Sequence, residues 1–253
     1  MPAAILARLV LLEARRSGLP WLAAGALVLA LALAAFLSQV ALTEARALQL
    51  AVVAALLRAC AVFLVAAQVA ASTLREINDR GLELALASPL PRTSQYLGRL
   101  AGFMALGALL AAVFSLPLFA LAPPAAVAQW AVSLACEAAL VAAAALFFSM
   151  TLAQITPAIA ATAGLYLLAR SMAAIQAIAA GPLTEPSLAS RIARGAVDAV
   201  ALLLPRLDLA TRTEWLVYGA PDGGVLGRAL LGIAISAAVL VAAGLFDFQR
   251  RNA

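Results

Sequence analysis

Six runs of apolar residues, each more than 20 long, dominate this chain and leave it little choice of fold. A helix needs about 20 mostly apolar residues to cross roughly 30 Å of hydrocarbon. Water is absent from that layer, so backbone groups in each run have to bond within the run, and the runs have to be helical. Their bounds are 19–40, 48–71, 96–121, 127–152, 157–180 and 225–246. Of the 253 residues, 66% are hydrophobic and 11% charged. Soluble domains are nearer half apolar and a quarter charged, and no compact fold of this length hides such an excess. The reading is an all-α membrane protein: one transmembrane domain over residues 1–253, with six transmembrane helices.

The charged residues exclude several chemistries. All 17 basic residues are Arg, with no Lys and no His. A phosphate loop ends in a Lys that reaches the nucleotide phosphates, so this chain is not expected to hydrolyse ATP that way. Without His there is no His-based triad, no paired-His zinc site and no imidazole base. Cys60 and Cys136 lie far apart inside apolar runs and form no metal or redox motif. The formal charge of +5 sits beside apolar spans rather than in a soluble patch, which points to membrane topology and not to nucleic acid. With the N-terminus inside, Arg8, Arg15, Arg16, Arg75, Arg80, Arg92, Arg99, Arg250 and Arg251 are cytoplasmic, and the short outer loops carry only Arg46. Six spans with both termini cytoplasmic follow from the positive-inside rule. The first run is longer than a signal-peptide core, so it is expected to stay as a span that also targets the chain.

Three segments are not spans. Residues 1–18 place Ile5, Leu6, Leu9, Val10 and Leu12 on one side of a helical wheel and Arg8, Arg15 and Arg16 on the rest, as in a helix lying on the membrane surface. A plain basic leader is the simpler alternative. Segment 72–95 holds the densest charge, with Arg75, Glu76, Asp79, Arg80 and Glu83, above an apolar stripe of Leu74, Ile77, Leu84 and Leu86. Arg75–Asp79 and Glu76–Arg80 have the spacing of helical ion pairs, and Ser88-Pro89-Leu90-Pro91 stops the helix. Such a helix at 74–87 either docks into a partner or is a solvated loop. Segment 181–224 is too long for a structureless turn. Its stretch 188–204 is amphipathic and reads as a helix that dips into the outer leaflet or lies flat on it. Trp215 and Tyr218 would anchor it at the interface.

Inside the spans, Arg58, Glu137 and Arg170 each fall near the middle. A charge there costs about 2.5–3.5 kcal/mol on insertion scales, so each is expected to face the bundle interior and find a partner. Spans two, four and five can bring the three together at one depth. An Arg–Glu–Arg cluster that holds helices in place is one reading. The other is that its uncompensated positive charge lines the path of an anionic substrate.

The pattern Glu76, Arg80-Gly81-Leu82-Glu83, Ser88-Pro89-Leu90 and Arg92 resembles the cytoplasmic signature of ABC-2-type transporter permeases. Six spans, an interfacial N-terminal helix, a long segment before the last span and the basic end Phe246-Asp247-Phe248-Gln249-Arg250-Arg251 are similar to that family too. Within it, Leu204-Pro205-Arg206-Leu207-Asp208 ahead of Trp215 and Tyr218 resembles the permeases associated with copper-enzyme maturation, and heme-exporter permeases are a neighbouring group. The resemblance implies a homodimer bound to two copies of a separate ABC ATPase subunit, in a bacterial inner membrane. It implies that the loop between spans two and three is the coupling helix, with Glu76, Arg80, Gly81, Glu83 and Arg92 at contact and turn positions. The short loop Thr151–Thr156 would be a second contact. This chain would then bind no cofactor itself and catalyse no covalent step, while ATP and Mg sit on the partner ATPase. Its other partners would be membrane lipid and a periplasmic protein at 181–224. The expected function is ATP-driven export of an unidentified substrate by alternating access. A membrane scaffold of a maturation complex would use the same docking helix. A secondary transporter should show inverted repeats and broken helices, and an intramembrane enzyme clustered carboxylates or His. The sequence shows neither pattern. With two Cys, four Met and no His, it also offers few soft ligands for a copper path.

Overall fold

The structure is a computed structural model and describes residues 2–40, 45–79, 91–179, 188–210, 215–216 and 223–250. Among these residues it is all helix and turn, with no strand. The helices are α1 (Pro2–Arg16), α2 (Leu19–Val40), α3 (Ala45–Asn78), α4 (Arg92–Ser115), α5 (Pro124–Leu152), α6 (Ile155–Ala179), α7 (Leu188–Leu203), the single turn α8 (Leu207–Ala210) and α9 (Gly223–Arg250). Six of them, α2 to α6 and α9, are long and apolar enough to cross a membrane. The protein is an all-α, multi-pass membrane protein.

Helix ends follow local chemistry. Pro124 opens α5 and Pro157 sits in the first turn of α6, where a missing N–H leaves no bond unmade. Leu116–Ala120 tightens into a 3₁₀ turn after α4, ahead of Pro123 and Pro124, so the α-helix of the third span stops at Ser115 rather than Leu121. Thr151–Thr156 is less of a loop than its composition suggests: α5 runs to Leu152 and α6 starts at Ile155. Ala153 makes the turn between them with φ 51°, a left-handed conformation that costs a residue with a Cβ about 1–2 kcal/mol.

The largest departure concerns residues 72–78. Instead of a separate short helix beginning near 74, the structure continues the second span without a break to Asn78. At 1.5 Å per residue, these 34 residues reach roughly 50 Å, well beyond the hydrocarbon layer. Nothing in the stretch from Ser72 to Asn78 breaks a helix, since its residues include neither Gly nor Pro. The rest of the expected coupling region, including Arg80, Gly81 and Glu83, lies outside the described residues.

α5 is the central element and touches α3, α4, α6 and α9. Ala138 and Ala142 to Ala145 along it are at most 2% exposed. Without a hydrophobic force between helices in lipid, small side chains that let backbones approach are what make such packing favourable. α2, by contrast, rests on α3 with only a little of α1, and leaves Trp21, Leu22, Val28 and Phe36 exposed, as a lipid-facing helix does.

α1 packs chiefly on α4. The closest approach is at Gly102, where an added Cβ would sit 2.7 Å from Val10 Cβ and 3.0 Å from the backbone of Ala7. The apolar face expected to lie on the membrane is therefore shared: Val10 and Ala14 are buried, while Ile5, Leu9 and Leu12 stay exposed. Gly102→Ala should lift α1 off α4 at an overpacking cost of about 1–3 kcal/mol. The check is the thermal midpoint in detergent, which should fall while the helical signal before melting stays unchanged. An unaltered midpoint would mean that α1 is not clamped at this crossing.

Candidate functional site

Two sets of polar side chains stand out. The first is at the centre of the bundle. Glu137 of α5 is fully buried and receives two guanidinium groups. Arg58 of α3 donates through Nη1 to Glu137 Oε2 at 2.5 Å, and Arg170 of α6 through Nη1 to Oε1 at 3.4 Å. Arg58 is 1% exposed and also donates through Nη2 to Ser133 Oγ at 2.9 Å, while Ser133 passes its own hydrogen to Trp130 O. Its guanidinium lies 5.2 Å from the Trp130 ring centroid, within reach of a cation–π attraction. Arg170 donates to Tyr166 OH at 2.8 Å. The three mid-span charges are thus brought together, as their positions anticipated, with a formal sum of one positive charge.

The two arginines are not equivalent. The Arg58 side chain is enclosed, whereas that of Arg170 is 32% exposed on the open face of α6. Around it on that face, Ala163, Leu167 and Ala174 are also exposed. A guanidinium at this depth is costly against hydrocarbon, so the face calls for water, an anion or a protein partner.

The second set is at the end of the bundle where α1, the end of α3, the start of α4 and the end of α9 meet. Glu76 on α3 pairs with Arg99 on α4. Ser72 donates to Glu13 Oε2 of α1 at 2.8 Å, and Ser17 donates to Gln68 Oε1 at 2.9 Å. Arg92 Nη1 donates to Gln249 O of α9 at 3.4 Å. Tyr96 is buried beside Phe248, and a Cβ on Gly244 would run into its hydroxyl. These contacts tie the protruding end of α3 to α1 and α4, and α4 in turn to α9. Of the expected coupling residues, Glu76 and Arg92 take part in this clamp. Glu76 turns across the helix interface instead of along its own helix, and among the described residues Arg75 and Asp79 form no ion pair. The expected pair Glu76–Arg80 involves a residue outside the described set.

Beyond α6, the described part of segment 181–224 includes the helix α7 and the turn α8. Leu207 is fully buried among Leu140, Ala169, Ala229, Ile233 and Ala237. Leu216 is buried too, and Trp215 half-buried, while Tyr218 is not among the described residues.

Sequence reasoning missed the neutral partners. Ser133 and Trp130 lie four and seven residues before Glu137, and Tyr166 four before Arg170, so helical spacing alone puts each on the face of its charge. In the sequence Arg99 bears only on topology, because nothing local marks it as the partner of Glu76. No protein-family model matches the sequence, and no curated protein matches it.

Two outcomes follow. Glu137→Gln leaves two guanidinium groups uncompensated and should destabilise the bundle by about 3–5 kcal/mol, whereas Arg170→Gln, which removes a longer and partly exposed contact, should cost less than half of that. Thermal unfolding of the two variants in one detergent measures the order. Reversing either charge alone in the Glu76–Arg99 pair should cost about 1–3 kcal/mol, and the double reversal should restore more than half of the loss.

Proposed function

We propose that this chain is the membrane subunit of an ATP-driven exporter of the ABC-2 type, acting as a homodimer with two copies of a separate ATPase subunit. The observation that carries the reading is the clamped extension of α3. A helix that leaves the bundle as one stiff rod and is pinned to α1 and α4 turns a push on residues 79–91 into motion of the whole bundle. A loosely hinged loop would absorb the push. In this reading, ATP binding closes the ATPase dimer, the segment beyond Asn78 is pressed, and two protomers rock between inward-open and outward-open arrangements. Arg80, Gly81 and Glu83 sit at the ATPase contact, and Glu76 and Arg92 hold the base of that contact. The ATPase side is the cytoplasmic face of a bacterial inner membrane, with both termini on it.

The exposed flank of Arg170 fits the same reading. Facing a second copy or a water-filled path between copies, the net positive charge of the cluster would favour an anionic substrate over a cationic one. Arg170→Gln should then slow transport without disturbing assembly. Copper-enzyme maturation is the process the resemblance favours, with a cargo other than the bare ion.

The decisive experiment is a mild-detergent pull-down of the tagged full chain, expressed from its native locus, with mass spectrometry of what accompanies it. A stoichiometric ATPase subunit, lost when Arg80 and Glu83 are charge-reversed, is the expected result. A homodimer that carries no ATPase would overturn the permease reading and favour a membrane scaffold.

A further inference from the structure

On the side of the bundle away from α1, a cleft of about 570 Å³ opens between the ends of α6 and α7, the turn α8 and the start of α9. Its polar groups are Gln176, Asp198, Arg206, Arg228 and Ser236, whose hydroxyl is spent on Gly232 O, and its apolar wall includes Leu209 and Ile235. On α9 the charged group and the apolar wall are separated along the helix axis. Arg228 is in the second turn of α9, and Ile235 lies seven residues further in, roughly 10 Å along the helix. Ile235 is 57% exposed, so the apolar half opens sideways toward the bilayer rather than into the core.

The charged half is unsatisfied in a specific way. Arg228 uses Nε on Gly224 O at 3.1 Å, and its terminal nitrogens have no partner among the described residues. Among the described residues, Arg206 pairs with Asp208 alone, at 3.4 Å. Asp198 accepts from Gln176 through Oδ1 at 3.2 Å, and its Oδ2 has no partner among the described residues. Terminal guanidinium nitrogens form the planar fork that suits phosphate oxygens, while a free carboxylate oxygen suits an ammonium group. By contrast, the neighbouring cleft of about 530 Å³ between α4, α5 and α9 is lined by no charged side chain and has nothing with which to choose a headgroup.

We infer that the α6–α9 cleft is a binding site for a phospholipid whose head carries both a phosphate and a primary ammonium group, with one acyl chain along Leu209 and Ile235. Arg228 and Arg206 hold the phosphate, Asp198 selects the ammonium, and the lateral opening admits the chain. The inference stands apart from the transport reading, since a resident lipid needs no ATPase.

The test uses the full chain in nanodiscs made of equal parts phosphatidylethanolamine, phosphatidylglycerol and phosphatidylcholine, with bound lipid read by native mass spectrometry. Phosphatidylethanolamine should be enriched at least fivefold over its bulk share. Arg228→Gln should lower all bound lipid at least fivefold. Asp198→Asn should keep lipid bound but bring the preference for phosphatidylethanolamine over phosphatidylglycerol close to one. Ile235→Trp, which fills the apolar half and changes no charge, should empty the site in protein whose gel-filtration profile is unchanged. Occupancy without any ATPase assigns the lipid to the bilayer, while occupancy that appears only during ATP turnover by a reconstituted ATPase assigns it to cargo. Bound lipid that mirrors the bulk mixture, or that Arg228→Gln leaves intact, would overturn the site. So would efficient disulfide crosslinking of Ile235→Cys between two copies, which would show the cleft covered by protein.

Discussion

The carboxylate of Glu137 is the constraint around which the bundle is arranged. It is buried at the centre of α5, and two guanidinium groups from α3 and α6 converge on it. In hydrocarbon an unpaired charge is far more costly than a paired one, so the three helices have to adopt rotations and depths that bring these groups together. Ser133 and Trp130 add further contacts to Arg58, and Tyr166 to Arg170. Because α5 also contacts α4 and α9, an orientation set by Glu137 propagates to most of the structure.

Close packing makes that convergence geometrically accessible. The alanines of α5 keep neighbouring backbones near enough for an arginine stem to span the gap between helices. Where packing is closest, glycine replaces alanine: Gly102 under α1 and Gly244 against Tyr96. Both lie near the end of the bundle where α3 protrudes. The tight contacts and the polar clamp of Glu76, Arg99, Glu13 and Ser72 therefore reinforce one another at the base of residues 79–91. The opposite end is built differently, with buried anchors at Leu207 and Leu216 and a cleft lined by exposed charges. A stiff end and an open end are what the proposed export function requires, and they are equally compatible with a membrane scaffold.

Hydropathy is a property of consecutive residues, which is why six spans were legible in the sequence, all to within a few positions except the end of the second, which runs on to Asn78. The same holds for the prolines at helix starts and for the three mid-span charges, whose cost in lipid demands mutual pairing. It also holds in principle for Ser133, Trp130 and Tyr166, since each shares a helical face with its charge.

What the tertiary structure alone decided concerns contacts between helices. The local pattern of segment 72–95 favours ion pairs within one helix, yet Glu76 pairs with Arg99 because α3 continues straight and passes beside α4. The apolar face of α1 reads as a membrane face, yet α4 claims Val10 and Ala14 because Gly102 offers no side chain in the way. The difference in exposure between Arg58 and Arg170, and the cleft that sets Arg228 above Ile235, depend likewise on how helices rotate about their axes. Composition and spacing determine six helices long and apolar enough to cross a membrane, with charge inside them. Which face each helix turns to its neighbours is set by packing between segments far apart in the chain, and no local pattern encodes it.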